Sequence, residues 1–293
     1  MFDFRVPPRN QASSTVMRTL AALVSLSVGL AMLLPACGHS PSYAPVTSAS
    51  QKPVAKPTQR GVAGPVDPDP RVVAGPVDPD RRVGAVFLGG GDLHTCTGSV
   101  LHSAGGGLML TAAHCLGGDI TSTTFVPGFA RNAAPDDVWT VDAVYLDQRW
   151  IAAKDPHADY AIARVSRAAG ESVEASVGSG LSLGTAPAPG SRISVMGYPA
   201  GVGGMPIGCH VSTGITDGYP SLPCAGFVDG TSGAPWISGS TVTGLIGGLD
   251  GGGCDEKVSY SAPLDEHTGQ LLARAEAGGP GDTVPPGVDD ECS

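Results

Sequence analysis

Leu108-Met109-Leu110-Thr111-Ala112-Ala113-His114-Cys115 is a short apolar run that ends on an imidazole. A run of this length closed by a turn reads as a buried strand, which places His114 at a strand end. Two other strings share the design. In Asp159-Tyr160-Ala161-Ile162-Ala163-Arg164-Val165 a carboxylate stands at the mouth of a strand. Alternation there turns Tyr160, Ile162 and Arg164 one way and Ala161, Ala163 and Val165 the other. Gly230-Thr231-Ser232-Gly233-Ala234-Pro235 flanks a hydroxyl with glycines, which permit the tight backbone that aims two N–H groups at one point. A serine hydroxyl is a poor nucleophile at neutral pH. An imidazole can take its proton, and a carboxylate can hold that imidazole in the required tautomer. The three groups occur in the order His, Asp, Ser, with separations that suit two successive β-barrels.

Singly, each string is uninformative. A His-Cys pair in a secreted chain is more often structural. Gly-x-Ser-Gly is common in a chain with 43 glycines. An Asp before an apolar strand is usually a turn residue. Their joint occurrence in one order points to nucleophilic acyl chemistry. Asp155 is the rival for the acid's role, but the apolar strand follows Asp159 directly.

Composition agrees with a β fold. Many short Val/Ile/Thr runs are separated by Gly-rich turns, and charged residues make up only 15% of the chain. That pattern reads as an all-β sandwich or barrel. The net charge of −10, with no basic cluster, argues against nucleic-acid binding. No C-x-x-C spacing supports a zinc site.

With these strings the chain resembles the trypsin/chymotrypsin-like serine proteases over about residues 83–275, and most of all the secreted bacterial members with Gly-Thr-Ser-Gly-Gly-Pro around the nucleophile. The resemblance implies two packed six-stranded antiparallel β-barrels with a C-terminal helix. It makes His114 the general base, Asp159 the orienting acid and Ser232 the nucleophile. The N–H groups of Gly230 and Ser232 become the oxyanion hole. The implied activity is endopeptidase cleavage of a peptide or protein substrate through an acyl-enzyme, with no metal or organic cofactor and a monomeric enzyme. By register, Gly226 falls at the floor of the primary pocket, where no trypsin-type aspartate stands. Gly247 and Gly248 fall on the strand that pairs with substrate backbone, with Leu249 at the wall. Two departures stand out. Thr231 replaces the aspartate that in the animal enzymes pairs with a freshly cut N-terminus, although Arg82-Val83-Gly84 looks like such a cut. Ala234 replaces a glycine. These departures keep two other readings open, a catalytically inactive binding module on the same fold and a serine esterase.

The chain has seven cysteines. The resemblance pairs Cys96 with Cys115, a bridge that pins the histidine loop, and Cys209 with Cys224. Cys254 and Cys292 then remain for each other; the alternative joins Cys224 to Cys254. Cys37 is the odd one out.

Residues 1–37 read as an export signal: a basic start near Met17, an apolar core Ala21 to Leu34 and small residues before the cut. That core is shorter than a membrane span. Leu34-Pro35-Ala36-Cys37 resembles a bacterial lipobox, and the odd cysteine count favours lipidation of Cys37 over free secretion. The protein is therefore expected outside the cell, held to the outer face of the membrane through that lipid. Residues 38–82 are Pro-, Ser- and Ala-rich and read as a disordered tether. They contain Val-Ala-Gly-Pro-Val-Asp-Pro-Asp twice, at 62–69 and 73–80. Barrel one is expected over about 83–167, a crossover over 168–190, barrel two over about 191–263, a helix over 264–277 and a mobile tail over 278–293.

Overall fold

A computed structural model describes residues 72–253 and 257–286. The export signal, Cys37, the upstream repeat copy, Cys254 and Cys292 lie outside the described residues. The described residues open with β1 (Gly75–Pro76). Then come β2 (Val83–Phe87), β3 (Leu93–Leu101), β4 (Leu108–Thr111), β5 (Thr124–Pro127), β6 (Trp139–Leu146), the short helix α1 (Gln148–Ala153) and β7 (Ala161–Ser166). In space the order is β3-β2-β5-β6-β7-β4, and β4 pairs back onto β3, so six strands close into a barrel. Every ladder in it is antiparallel. Closure leaves no unpaired edge. β2 is buried at all five positions. Its neighbours come so close that a Cβ on Gly84 would lie 2.3 Å from the Val126 carbonyl oxygen. Met109, Phe125, Trp139 and Ile162 are fully buried in this core.

The second half contains α2 (Val173–Val177), β8 (Ser182–Leu183), β9 (Arg192–Gly197), β10 (Gly201–Val202), β11 (Ile207–Ser212), β12 (Gly214–Thr216), β13 (Tyr219–Leu222), β14 (Pro235–Ser238), β15 (Thr241–Leu245), β16 (Ser259–Tyr260) and α3 (Glu266–Ala277). Its main sheet runs β1-β11-β9-β14-β15-β8, and β12-β13-β16 form a separate three-stranded sheet. Val195, Leu222, Phe227 and Trp236 build a second apolar cluster there. The expected fold class holds: mostly β, a closed first barrel, a second sheet system and a C-terminal helix. α3 begins two residues later than the sequence suggests, because Asp265 caps it by accepting the His267 N–H at 2.8 Å. Thr268, Leu271 and Ala275 of this helix are buried.

Three boundaries need correction. Residues 72–82, expected in the tether, belong to the folded unit: β1 pairs with β11. The crossover carries α2 and β8, the latter parallel to β15. The first part of the expected mobile tail is docked. Asp282 N–H donates to Val144 O (2.7 Å), its carboxylate accepts the Leu146 N–H (2.7 Å) and pairs with Arg274 (2.7 Å), and Pro285 O accepts the Gly118 N–H (3.0 Å).

Among the described residues two disulfides form, Cys96–Cys115 and Cys209–Cys224. The alternative partner for Cys224 is thereby corrected. The bridges close loops of 19 and 15 residues, and chain-entropy arguments give each about 3 kcal/mol. Converting Cys96 and Cys115 together to alanine should lower the unfolding free energy by about that amount in a denaturant titration of the oxidised protein. An unchanged midpoint would contradict the bridge's role.

Candidate active site

The loop between β6 and β7 delivers the acid. Asp147 caps α1, accepting the Arg149 N–H at 2.8 Å, pairing with its guanidinium at 2.8 Å and taking the Tyr160 hydroxyl at 2.8 Å. Burial alone would raise the Asp147 carboxyl. The Arg149 guanidinium and N–H and the Tyr160 hydroxyl outweigh it and bring the group down to about 2. Asp155 then caps a single turn, Pro156–Ala158, by accepting the His157 N–H at 2.9 Å. Its side chain pairs with His157 (3.1 Å). Asp159 follows, and it is Asp159 that meets His114.

His114 opens a one-turn helix directly after β4. Cys115, its chain neighbour, is tied to Cys96 on β3, and the Thr111 hydroxyl donates to Thr97 O (2.8 Å) to fix the strand end. The Nδ1 of His114 lies 2.8 Å from Asp159 Oδ2, and the His114 backbone N–H donates to Oδ1 at 3.0 Å. Gly248 N–H donates to Oδ2 at 2.8 Å. The Asp159 side chain is 2% exposed and that of His114 15%. Burial pushes the Asp159 carboxyl up, but the facing imidazole charge, its Nδ1–H bond and the N–H groups of Gly248 and His114 together hold it below the ordinary carboxylate range. With Nδ1 committed to the acid, Nε2 is the ring nitrogen left to accept a proton.

The Ser232 turn is held by its neighbours. Gly230 (φ +88°) and Gly233 (φ +83°) adopt the left-handed region. A Cβ on Gly230 would lie 2.1 Å from Ala200 N, and one on Gly233 would lie 2.1 Å from Thr97 O. Only glycine fits either position. Asp229 O accepts the Ala200 N–H (2.7 Å), and Thr231 O accepts the Ala234 N–H (2.9 Å). In a trans peptide the N–H points opposite to the C=O. Pinning those two carbonyls therefore turns the N–H groups of Gly230 and Ser232 away from the anchors. Among the described residues neither donates to a protein acceptor, whereas Thr231 N–H is bonded to Val228 O and Gly233 N–H to Ile246 O.

Thr97, unnoticed in the sequence, organises this turn. Its N–H donates to Ser232 O (2.8 Å), its hydroxyl donates to Gly230 O (3.0 Å), and the same hydroxyl accepts the Tyr198 N–H (2.9 Å). Cys115 Sγ lies 3.7 Å from Ser232 O, which brings the serine's backbone against the histidine loop. The only sequence signal for Thr97 is its position beside Cys96. Thr231, the departure from the family pattern, donates its hydroxyl to Val228 O at 2.7 Å and so shapes the loop locally. The added methyl of Ala234 packs against Gly197, where a Cβ would come within 2.9 Å of it.

The other expected site residues are placed as follows. Gly247 lies against the acid, since a Cβ there would sit 2.9 Å from Asp159 Oδ2. Its N–H goes to Tyr260 O (3.1 Å), and that of Gly248 goes to Asp159. The 247–248 segment therefore has no free N–H for a substrate strand. Leu249 is half-buried in a turn, Leu249–Gly252, that contacts the Pro156–Ala158 turn. Gly226 (φ +90°) packs against Val73, 3.4 Å from its would-be Cβ. Cys96, His114 and Cys115 cluster closely, but the disulfide takes both sulfurs, so they are not a metal-ligand set. Arg82-Val83 is not an open cleavage site: Val83 is fully buried, its N–H donates to Asp80 O (2.9 Å), and Arg82 pairs with Asp80 (2.6 Å).

Residues 96–247 match the model of the trypsin-like peptidase domain. Among solved structures, the protease Anisep from Arthrobacter nicotinovorans is 24% identical with a TM-score of 0.61, covering 70% of this chain and 100% of its own. A thermostable serine protease from an extremophilic microorganism is 22% identical (TM-score 0.58), covering 68% of this chain and 99% of its own. A Glu endopeptidase is 16% identical (TM-score 0.56), with coverage of 71% and 98%. No curated protein matches the chain.

The lowered Asp159 carboxyl makes a directional prediction. A group whose native pKa is depressed contributes stability above its unfolded pKa, about 3.9 for Asp, and loses it as pH falls through the native value. Unfolding free energy of the wild type should therefore drop relative to Asp159→Asn as pH is lowered from about 5 to about 2. Parallel curves in denaturant titrations over that range would contradict the assigned bonds.

Proposed function

The chain belongs to the trypsin-like peptidase family, and on that footing we propose that it is a secreted or surface-anchored serine endopeptidase working through Ser232, His114 and Asp159. The observation that carries this reading is the Asp159–His114 pair. A buried carboxylate takes Nδ1, which leaves Nε2 as the base, while the Ser232 backbone is bonded to β3 beside the disulfide that anchors the histidine.

In the proposed mechanism His114 takes the Ser232 hydroxyl proton as its oxygen attacks a peptide carbonyl. Asp159 stabilises the imidazolium that forms. The N–H groups of Gly230 and Ser232, turned out of the loop by the bonds at Asp229 O and Thr231 O, receive the oxyanion. His114 then protonates the departing amine, and water attacks the acyl-enzyme with His114 again as base. Thr231 supports an active loop without an ion pair to a new N-terminus, because its own hydroxyl closes the loop.

Specificity is read from what the pocket lacks. Gly226 offers no carboxylate at the floor, so a small or medium apolar residue before the scissile bond is preferred over Arg or Lys. Substrate backbone can meet the Gly247–Gly248 segment only at carbonyls, since both N–H groups are committed. Export and lipidation at Cys37 rest on the sequence pattern of residues 17–37.

Ser232→Ala should reduce peptide turnover by about 10⁴-fold or more; wild-type kcat in that variant would exclude the mechanism. Because the base must be unprotonated, kcat/KM should rise with pH as the imidazole titrates, and a profile peaking in strong acid would contradict it. In a peptide-library digest, cuts should cluster after small and medium apolar residues; strict cleavage after Arg or Lys would overturn the pocket assignment.

A further inference from the structure

The edge of β11 holds a strand whose sequence occurs twice. Residues 62–69 and 73–80 both read Val-Ala-Gly-Pro-Val-Asp-Pro-Asp, eleven residues apart. The downstream copy is docked. Ala74 N–H donates to Ala225 O (2.7 Å), and Ala225 N–H donates to Val72 O (3.0 Å). Gly75 and Pro76 pair with Gly208 and Ile207, and Val77 N–H donates to Pro206 O (3.0 Å).

The receiving surface is shaped for these side chains. Two glycines lie under two valines. A Cβ on Gly226 would stand 3.4 Å from Val73 Cγ1, and one on Gly208 would stand 3.3 Å from each Val77 methyl. The Cys209–Cys224 bridge joins the two receiving segments, since Gly208 and Ala225 are the chain neighbours of its cysteines. Asp80 closes the segment by pairing with Arg82 (2.6 Å) and accepting the Val83 N–H on its carbonyl (2.9 Å).

Every one of these requirements is met by the upstream copy. Val62 and Val66 match the two valines, Gly64 and Pro65 match the paired residues, and Asp69 has Arg71 two positions on, as Asp80 has Arg82. Pro70 replaces Arg81 at the second position of the closing turn, where proline is favoured. The octapeptide itself therefore offers the same groups in either copy, and the copies differ at its flanks: Val72, packed against the second apolar cluster, is Gly61 upstream, and Arg81, whose guanidinium donates to Ser176 O (2.7 Å), is Pro70 upstream. The length of chain leading to β2 differs as well, and loop length enters logarithmically.

We infer that the β11 edge with Ala225 and Gly226 is a docking site for this octapeptide, and that residues 62–69 are a second, interchangeable ligand for it within the same chain. Docking holds Ala225 and Gly226, which lead through Phe227 into the Gly230–Ser232 turn. The effect on turnover rests on the protease reading; the effects on stability and binding do not.

One-repeat and two-repeat deletions test this in the full chain. Removing residues 72–82 joins Arg71 to Val83 and sets the upstream copy in the downstream copy's place. That variant should keep its Tm within about 2 °C and its kcat/KM within about twofold. Removing residues 61–82 should lower Tm by more than about 5 °C and kcat/KM by at least about tenfold. A synthetic peptide of residues 72–80 should restore the Tm saturably. Should the double deletion fail to fold, proline substitutions serve instead. Ala74→Pro removes the N–H given to Ala225. It should be mild alone and clearly worse combined with Ala63→Pro, which alone should be silent. Equal damage from both deletions, no damage from either, or no added effect of Ala63→Pro on Ala74→Pro would overturn the inference. Loss of turnover from every form, with the Tm pattern intact, would refute the protease reading and leave the docking site standing.

Discussion

A buried carboxylate is the point on which the two halves of this molecule meet. An ionised group removed from water costs several kcal/mol unless its lone pairs are satisfied. Asp159 meets that demand with three N–H groups, two from His114 and one from Gly248. The first two come from the end of β4 and the third from the segment after β15. The same carboxylate thus fixes the imidazole's tautomer and ties the second half to the first. It also dictates local sequence, since a side chain at Gly247 would collide with Oδ2.

The Ser232 turn depends on a second point of convergence. Thr97, fully buried on β3, binds the carbonyls of Gly230 and Ser232 and the N–H of Tyr198. Its chain neighbour Cys96 holds the histidine loop through Cys115. One strand of the first barrel therefore positions both His114 and the Ser232 turn. The catalytic geometry proposed here is a consequence of barrel closure as much as of the residues that carry the chemistry.

The candidate site residues were legible because their types are scarce in such settings. A histidine ending an apolar run, an aspartate opening one and a serine between glycines each leave a local trace. Asp159 outranked Asp155 on the strand that follows it; in the structure the Asp155 side chain pairs with His157 and that of Asp159 with His114. Thr97 left no trace, because a threonine in a strand is commonplace and its role comes from long-range bonds. Register placed Gly247 and Gly248 on a strand expected to pair with substrate backbone, but register alone could not show that their N–H groups face Tyr260 and Asp159. Pro-rich residues 72–82 looked like tether because their composition disfavours helix and core. Their order comes from pairing with β11 and Ala225, which composition does not report.

In the proposed mechanism the Ser232 hydroxyl is made nucleophilic by an imidazole that Asp159 orients. A fluorophosphonate probe reads that property without assuming a substrate, with the modified residue located by peptide mass spectrometry. A single adduct is expected, on Ser232, forming far more slowly in His114→Ala. No adduct on the folded wild type, or labelling of Ser232 at an undiminished rate in His114→Ala, would contradict it.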